Sequence, residues 1–359
     1  MNVLSDAARD RYTPSMATPS RAPKQHSPNL TIAEIARLAG VSAPTVSKVV
    51  NGHAAVAAET RARVQRVLRE HGYRQRKKAA KPAPLLELVF HELAGVYPIE
   101  IINGVELVAD EHELAVVVSE SRGHQKPRRE WIERVLVRRP TGVIPVFSDL
   151  SVDQQARLSN RGIPFVVVDP NGVPGDKIPS VGSTNWHGGL SATRHLLELG
   201  HRRIAVITGP RWALCSRARL DGYRAALETA GVPVDPALIR EGQFDIADGV
   251  KHTLELLRLP NPPTAIFALN DGMAIGVYQA ASQAGLRIPD DLSVVGFDNY
   301  SLDEWLVPPL TTVHQPLREM GAAAARMVLE LAQGAVLGSH RRELATELVV
   351  RSSTRPPSR

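Results

Sequence analysis

From Leu30 to Gly72 the apolar positions recur with the period of a helix. Ile32, Ile35, Ala36 and Ala39 make one apolar face and predict a first helix. Thr31 followed three residues later by Glu34 reads as a capping box, in which each side chain satisfies an orphan amide at the helix start. Gly40 ends this helix, because a left-handed closing residue is least strained without a Cβ. Val41 fills the corner and Ser42 caps a second helix beginning at Ala43. Pro44 lies in its first turn, where a missing amide hydrogen costs little. After a turn at Asn51, Gly52 and His53, a third helix is expected from about Ala58 to His71, with Val64, Val67 and Leu68 inward and Arg61, Arg63, Arg66 and Arg69 elsewhere. Ala57 leaves it without a side-chain cap, a loss of about 1 kcal/mol. Two short helices joined by a tight glycine-containing turn form a helix-turn-helix, whose second helix offers its first turn to a DNA major groove.

From Leu85 the pattern changes. LLELVF, LAVVVS, GVIPVF, PFVVVD, RIAVITG, TAIFALN and LSVVGFD are short β-rich apolar runs. Helical stretches alternate with them at Ile99 to Glu111, Pro127 to Arg138, Gly188 to Leu199, Arg217 to Ala230, Ala247 to Leu257, Asp271 to Ala284 and Leu317 to Leu331. Regular βα alternation predicts parallel sheet covered by helices on both faces. A single sheet would need an unusual number of strands, so two α/β lobes are expected.

Charge separates the same two regions. Residues 1–84 hold fifteen Lys and Arg against five Asp and Glu, net +10; the whole chain of 359 residues carries +6, leaving −4 on residues 85–359. A basic lobe of that kind fits a polyphosphate partner, since each cation placed on a phosphate releases condensed counterions. Residues 1–28, rich in Ser, Pro and Ala without periodicity, read as a disordered tail. They contain no apolar core of a secretory signal, and no run of eighteen uncharged apolar residues exists anywhere, so a cytoplasmic protein without a membrane span is expected. Cys215 stands alone. It excludes an internal disulfide and a multi-cysteine zinc site, and reads as a small buried filler.

The order of residues adds a resemblance. T-I-x-E-I-A-x-x-A-G-V-S-x-x-T-V-S-K-V-V-N-G, followed by Thr60-Arg61 and His71-Gly72-Tyr73, resembles the headpiece of the lactose-repressor (LacI/GalR) family of bacterial transcription regulators. The likeness continues through GHRRIAVITG at Gly200 to Gly209, Arg219 to Tyr223, ALND at Ala268 to Asp271, VVGFD at Val294 to Asp298 and PPLTTV at Pro308 to Val313, covering about residues 30 to 355. It implies an all-α helix-turn-helix headpiece plus an α/β two-lobed periplasmic-binding-protein-like effector domain. The expected divisions are a tail at 1–28, the headpiece at 29–73, a basic linker at 74–84 and the effector and dimerisation domain at 85–355. It further implies a homodimeric repressor on a near-palindromic site of double-stranded DNA, controlled by a small ligand, a sugar. An activator of the same family fits the residues too, whereas a sugar receptor of transport conflicts with the basic headpiece. Ala43, Pro44 and Lys48 are the expected base readers, with Lys48 where the family places arginine, and Thr31, Ser42, Thr45, Ser47 and Asn51 the expected phosphate contacts. In the linker Pro82 stands where the family's leucine wedges into the minor groove. Arg74, Arg76 and Lys77 either hold that groove and its phosphates or form a flexible basic tether.

Ligands of open α/β sheets lie beyond the carboxyl ends of strands. Asp169, Asn270 and Asp298 each follow an apolar run, and Arg219 is expected to open the helix after the GPRWALCS loop. Carboxylates, an amide and a guanidinium converging on a cleft can grip vicinal hydroxyls, and flat aromatic faces cover the apolar side of a pyranose. The resemblance places the same four residues, and Phe244, on the effector; Asn270 equally suits a helix cap. His91, Tyr97 and Arg217 belong to the same loops. Trp186, Trp212 and Trp305 are either sugar-stacking or core and hinge residues. No H-E-x-x-H, Walker lysine loop or G-x-S-x-G elbow is present, so neither an enzyme nor a bound cofactor or metal is expected.

Overall fold

The computed structural model describes residues 31–50, 56–70, 82–122, 126–172 and 178–358. The tail at 1–28, the turn at Asn51 to His53, and Tyr73 to Lys81 with Arg74, Arg76 and Lys77 lie outside the described residues. The chain divides into two compact units, Met1–Lys81 and Pro82–Arg359.

The first unit holds helices α1 (Ile32–Ala39), α2 (Ala43–Val50) and α3 (Ala58–Glu70). Both halves of the capping box form: the Thr31 amide donates to Glu34 Oε2 at 2.6 Å, and the Glu34 amide to Thr31 Oγ1 at 3.3 Å. Gly40 closes α1 at φ 63°, its amide returning to the Ala36 and Arg37 carbonyls. The Thr45 amide reaches Ser42 Oγ at 3.4 Å, which starts α2. Ile35, Ala36, Ala39, Val46, Val49 and Val64 make the core, with Val67 and Leu68 of α3 against it. Each fully buried Val or Ile side chain among them contributes about 1.5–3 kcal/mol.

The second unit begins at Pro82 and takes in the last three residues of the expected linker, Ala83 and Pro84 already belonging to a strand. Strand β1 (Ala83–Phe90) is followed by α4 (Tyr97–Glu111), β2 (Ala115–Glu120), α5 (Arg129–Arg138), β3 (Pro140–Val146), α6 (Val152–Ser159), β4 (Val167–Val168) and β5 (Ser180–Ser183). The chain then enters a second lobe through α7 (Asn185–Glu198), β6 (Ile204–Thr208), α8 (Leu214–Thr229), β7 (Ile239–Glu241), α9 (Ile246–Leu257), β8 (Ala265–Ala268), α10 (Asp271–Gln283), β9 (Ser293–Asp298) and β10 (Thr311–His314). It returns to the first lobe with α11 (Leu317–Ala332) and β11 (Arg341–Leu344), and ends in the second with β12 (Glu347–Val349). The sheets run β11-β5-β4-β3-β1-β2 and β12-β10-β9-β8-β6-β7. All pairings are parallel except β10 with β12.

In the first lobe Leu86, Leu88, Phe90 and Ile144 pack under α4 and α11, while Val89 and Val143 on the other face meet Trp131, Ile132 and Leu158. In the second, Val206, Phe267 and Val295 lie among Tyr223, Leu256 and Val277. The strands missed in the sequence, β5, β7, β10, β11 and β12, are three or four residues long, and Ser180–Ser183 reads SVGS. Such stretches carry too few apolar positions to show a period, and they become strands only because a neighbour supplies the ladder. PFVVVD holds only the two-residue β4.

Three connections join the lobes, at Thr184, at Gln315 and Pro316, and at Ala345 and Thr346. Two of them are tied together. Thr184 Oγ1 lies 2.9 Å from Thr346 Oγ1, and the Thr346 amide donates to Thr184 Oγ1 at 2.9 Å. With strand carboxyl ends facing each other across these crossings, the cleft between the lobes collects the loop residues.

Candidate functional site

On the headpiece, Val46 and Val49 turn α2 toward the core, so successive 100° steps leave Pro44 and Lys48 exposed and Ser47 part-exposed on the opposite side. Ala43 is half-buried and leans on the core, which withdraws much of its side chain from the outer face. The Thr31 hydroxyl is held inside the cap, donating to Glu34 Oε2 at 2.9 Å. Ser42 and Thr45 share a hydroxyl contact of 2.8 Å. Pro44, Ser47 and Lys48 thus form the outward surface of α2.

Between the lobes lies a cavity of about 530 Å³, lined by His91, Tyr97, Asp169, Arg219, Phe244, Asn270 and Asp298. Its centre is the Arg219 guanidinium. Arg219 does not open a helix; α8 begins at Leu214, and its second turn carries the side chain inward to 3% exposure. Gly189 allows this: a Cβ there would meet the Arg219 carbonyl oxygen at 2.2 Å, so only glycine lets α7 and α8 approach so closely. Arg219 Nε donates to Asn185 Oδ1 at 2.8 Å, Nη1 to the Leu269 carbonyl at 2.6 Å and Nη2 to Gln315 Oε1 at 2.6 Å. Asp298 Oδ1 lies 3.5 Å from Nη1, and the guanidinium carbon stands 3.6 Å over the Phe297 ring. A charge held on both edges and one face is fixed in direction before any ligand arrives.

Asp169 faces it from the first lobe. Tyr97 Oη donates to Asp169 Oδ2 at 2.7 Å and Gln315 Nε2 to the same oxygen at 3.2 Å. Burial raises the Asp169 carboxyl above its ordinary value, while Tyr97, Arg219 and Gln315 pull it back. Burial also pushes Asp298 up to about 8 against the pull of Arg219, with the charge of Asp271 adding to the rise. Burial thus raises both carboxyls, and each is held by its neighbours, Asp298 by Arg219 and Asp169 by Tyr97, Arg219 and Gln315.

Asp271 and Asp303 brace the loop after Asp298. Thr312 Oγ1 donates to Asp271 Oδ1 at 2.6 Å, and the Asn299 and Tyr300 amides to Oδ2 at 2.6 and 3.2 Å. Neither Asp303 oxygen meets an N–H or O–H donor among the described residues. The two carboxyls are buried close enough for each to bear on the other's titration. Burial first and then the neighbouring acid lifts Asp271 well up, and burial lifts Asp303 to about 6.

Aromatic rings close the mouth. Trp212 of the second lobe lies 5.0 Å from His91 and 5.2 Å from Phe147 of the first, and Phe147 meets Phe244 edge-on at 6.0 Å. Asp169, Phe147, Phe244 and Asp298 all have positive φ, 46°, 51°, 69° and 118°. Left-handed backbone at non-glycine residues costs of order 1–3 kcal/mol each and concentrates where side chains must be aimed. Asn270 both lines the cavity and caps α10, its Oδ1 accepting from the Met273 amide at 2.9 Å and its Nδ2 donating to the Phe244 carbonyl at 2.9 Å.

Not every expected residue joins this cluster. Arg217 is exposed and does not line the cavity, because it stands two residues from the inward-facing Arg219 on α8. Trp186 belongs to the first turn of α7 and lines a separate cavity, and Trp305 is 82% exposed on a short 3₁₀ turn. Cys215 is buried, as expected of a small filler, and burial pushes its thiol up to about 12; it also borders both cavities. Phe147, Asn185, Gln243, Tyr300 and Gln315 were not singled out. Of these only Phe147 carried a signal, standing just past an apolar run as Asp169 does.

A compact helix-turn-helix unit followed by a two-lobed α/β body with a charged interlobe cleft defines a transcriptional regulator that joins DNA binding to ligand binding. Residues 31–75 match the family described as bacterial regulatory proteins, lacI family, and residues 193–354 match the periplasmic binding protein-like domain. The HTH-type transcriptional repressor CytR of Escherichia coli is 33% identical over 329 residues, 90% of this chain and 96% of that protein. Among solved structures, the Lac repressor dimer bound to operator and the anti-inducer ONPF has a TM-score of 0.67 at 30% identity, covering 91% of this chain and 99% of that one. A complex of the regulator CelR with cellobiose has a TM-score of 0.68 at 32% identity, over 90% and 99%. The chain belongs to the lacI family of bacterial regulatory proteins. No helix among the described residues is long and apolar enough to cross a membrane.

Proposed function

We propose that the chain is a homodimeric, cytoplasmic repressor without catalytic activity, which reads a near-palindromic operator and is controlled by a small polyhydroxylated ligand of the sugar class. The observation that carries the ligand reading is the Arg219 cage. A fixed guanidinium and the Asp169 and Asp298 carboxyls share one cavity with Phe244, Phe147 and Tyr97. Paired hydrogen bonds from such groups suit vicinal hydroxyls, and the rings suit the C–H face of a pyranose. Relatives of similar fold are described with cellobiose and with ONPF.

In this reading Pro44 and Lys48, with the Ala43 methyl at the edge, face base pairs, and Ser42, Thr45, Ser47 and Thr31 lie by phosphates. Asn51, Arg74, Arg76 and Lys77 add backbone or minor-groove contacts. Lysine at position 48 gives a point donor where arginine would grip guanine with two hydrogen bonds. Two headpieces related by a two-fold axis match two half-sites. Closing the cleft on a ligand changes the separation of the two linkers, and by reciprocity operator DNA changes ligand affinity by the same factor.

The test is a gel shift on palindromic fragments from the chain's own genomic neighbourhood, with a sugar panel screened by thermal shift. Lys48→Ala is expected to weaken the cognate site by about tenfold to a hundredfold, the worth of one base contact. Unchanged discrimination between cognate and mutated sites would remove Lys48 from the readers, and indifference to every fragment would end the regulator reading.

A further inference from the structure

Gln315 lies where the chain crosses from the second lobe to the first, after β10 and before Pro316 and α11, and it is only 1% exposed. Its backbone is pinned on the second-lobe side, the amide donating to the Asp298 carbonyl at 3.1 Å. The next step is a tight turn. Pro316 has φ −76° and ψ 68°, the values of an inverse γ-turn, and the Leu317 amide returns to the Gln315 carbonyl at 2.8 Å as α11 begins.

The side chain spans the same crossing. Its Oε1 accepts from Arg219 Nη2 at 2.6 Å, a group carried by α8 of the second lobe, and its Nε2 donates to Asp169 Oδ2 at 3.2 Å, a carboxyl of the first. Met320 Sδ of α11 lies 3.5 Å from the same nitrogen. Chemistry fixes which end of the carboxamide faces which partner, since a guanidinium only donates and a carboxylate only accepts. Asparagine is one methylene short of this reach, and glutamate sets a second carboxyl against Asp169. A neutral carboxamide of this length therefore satisfies both lobes at once. Because the chain turns at Pro316, rotating one lobe against the other re-aims the side chain, and its two bonds are kept together over only a narrow range of lobe angle.

We infer that Gln315 is a positioning residue of the ligand cleft: its carboxamide sets the lobe angle at which Arg219 and Asp169 face the same ligand, and holds the cleft floor closed on its own. The contacts of Trp212 with His91 and Phe147 close the mouth separately. The inference rests on the two-lobed cleft and not on the sugar reading, so its failure leaves that reading untouched.

The experiment compares wild type with Gln315→Glu and Gln315→Met in the full chain without added ligand, from pH 5 to 8.5. Acrylamide quenching of tryptophan emission reads the lobe angle, because Trp212 of the second lobe meets rings of the first. The charged and titratable groups around position 315 are Arg219, Asp169 with its partner Tyr97, and Asp298 beside Arg219. Their own titration is removed by subtracting the wild-type scan. A protonated glutamic acid donates to Asp169 as the amide does, whereas an ionised one cannot and repels it. Quenching of Gln315→Glu in excess of wild type is therefore expected to rise with pH, the ratio of open to closed chains growing by up to about tenfold per pH unit, the slope of one proton. Gln315→Met keeps the length and neither donates nor accepts, so its excess should be present at every pH. Should this variant fail to fold by circular dichroism, the pH scan of Gln315→Glu decides alone. Trp212→Phe in either background should abolish the excess. A residue that only filled space would lower the melting temperature and leave quenching as in wild type. Quenching equal to wild type, an excess in Gln315→Glu that does not rise with pH, or one that survives Trp212→Phe overturns the inference.

Discussion

Asp303→Asn isolates the raised, buried acid beneath the cleft. In the folded chain Asp303 is buried beside Asp271, its oxygens without a donor, and burial lifts its carboxyl to about 6. In the unfolded chain the same group titrates near the ordinary aspartate value. Because the folded value is raised, the group's contribution to stability is fully present below about pH 4 and is lost as pH rises through 6. A rise of about two pH units corresponds to about 3 kcal/mol lost by pH 8. Asparagine carries a permanent N–H to donate to Asp271 and has no proton to lose. At pH 8 the variant should therefore melt about 5 °C above wild type, taking roughly 2 °C per kcal/mol for a unit of this size. The gap should narrow as pH falls and close only below about pH 4. The assay is calorimetric melting of both proteins between about pH 3.5 and 8.5, with the difference plotted against pH. Parallel curves, or a variant less stable at pH 8, would show that the Asp303 carboxyl is not raised by its burial beside Asp271.

Two further expectations concern the headpiece cap and the cleft. Thr31→Ala removes the hydroxyl that accepts from the Glu34 amide while keeping its own amide bond to Glu34, and should destabilise the headpiece by about 1 kcal/mol, seen as an earlier headpiece transition in far-ultraviolet melting, with ligand affinity of the body unchanged. Arg219→Met keeps the unbranched stem as far as the Nε position but removes the guanidinium, stranding Asn185, Gln315 and the Leu269 carbonyl. It should cost roughly 3–5 kcal/mol of body stability and remove calorimetric binding of whichever sugar the wild type takes; retained binding would take Arg219 out of the site.

The headpiece was legible residue by residue because its determinants are local. Thr31 with Glu34, Gly40, and Ser42 before Pro44 act within four residues of one another, and the helical period alone says which face of α2 is inward. The same locality made the alternation of β6, α8, β8, α10 and β9 readable, and placed Asp169, Asn270 and Asp298 at strand ends. It failed where burial is not periodic. β5 and β11 are polar or mixed tetrapeptides whose strand character comes from each other, 161 positions apart at Ser180 and Arg341. Arg219 was recognised, but its partners Asn185, Leu269 and Gln315 lie 34, 50 and 96 residues away. No spacing rule links them. Trp186 and Arg217 were assigned to the cleft because a loop position does not reveal on which side of a helix a side chain emerges. Sequence by itself determined the elements, the division into a basic headpiece and a two-lobed body, and the chemical types gathered at strand ends. Only the tertiary structure decided which of those groups share a cavity, which carboxyls burial raises, and that Gln315 joins Arg219 to Asp169 at a lobe crossing. Periodicity records whether a residue is buried, whereas sheet order and lobe crossings determine against what.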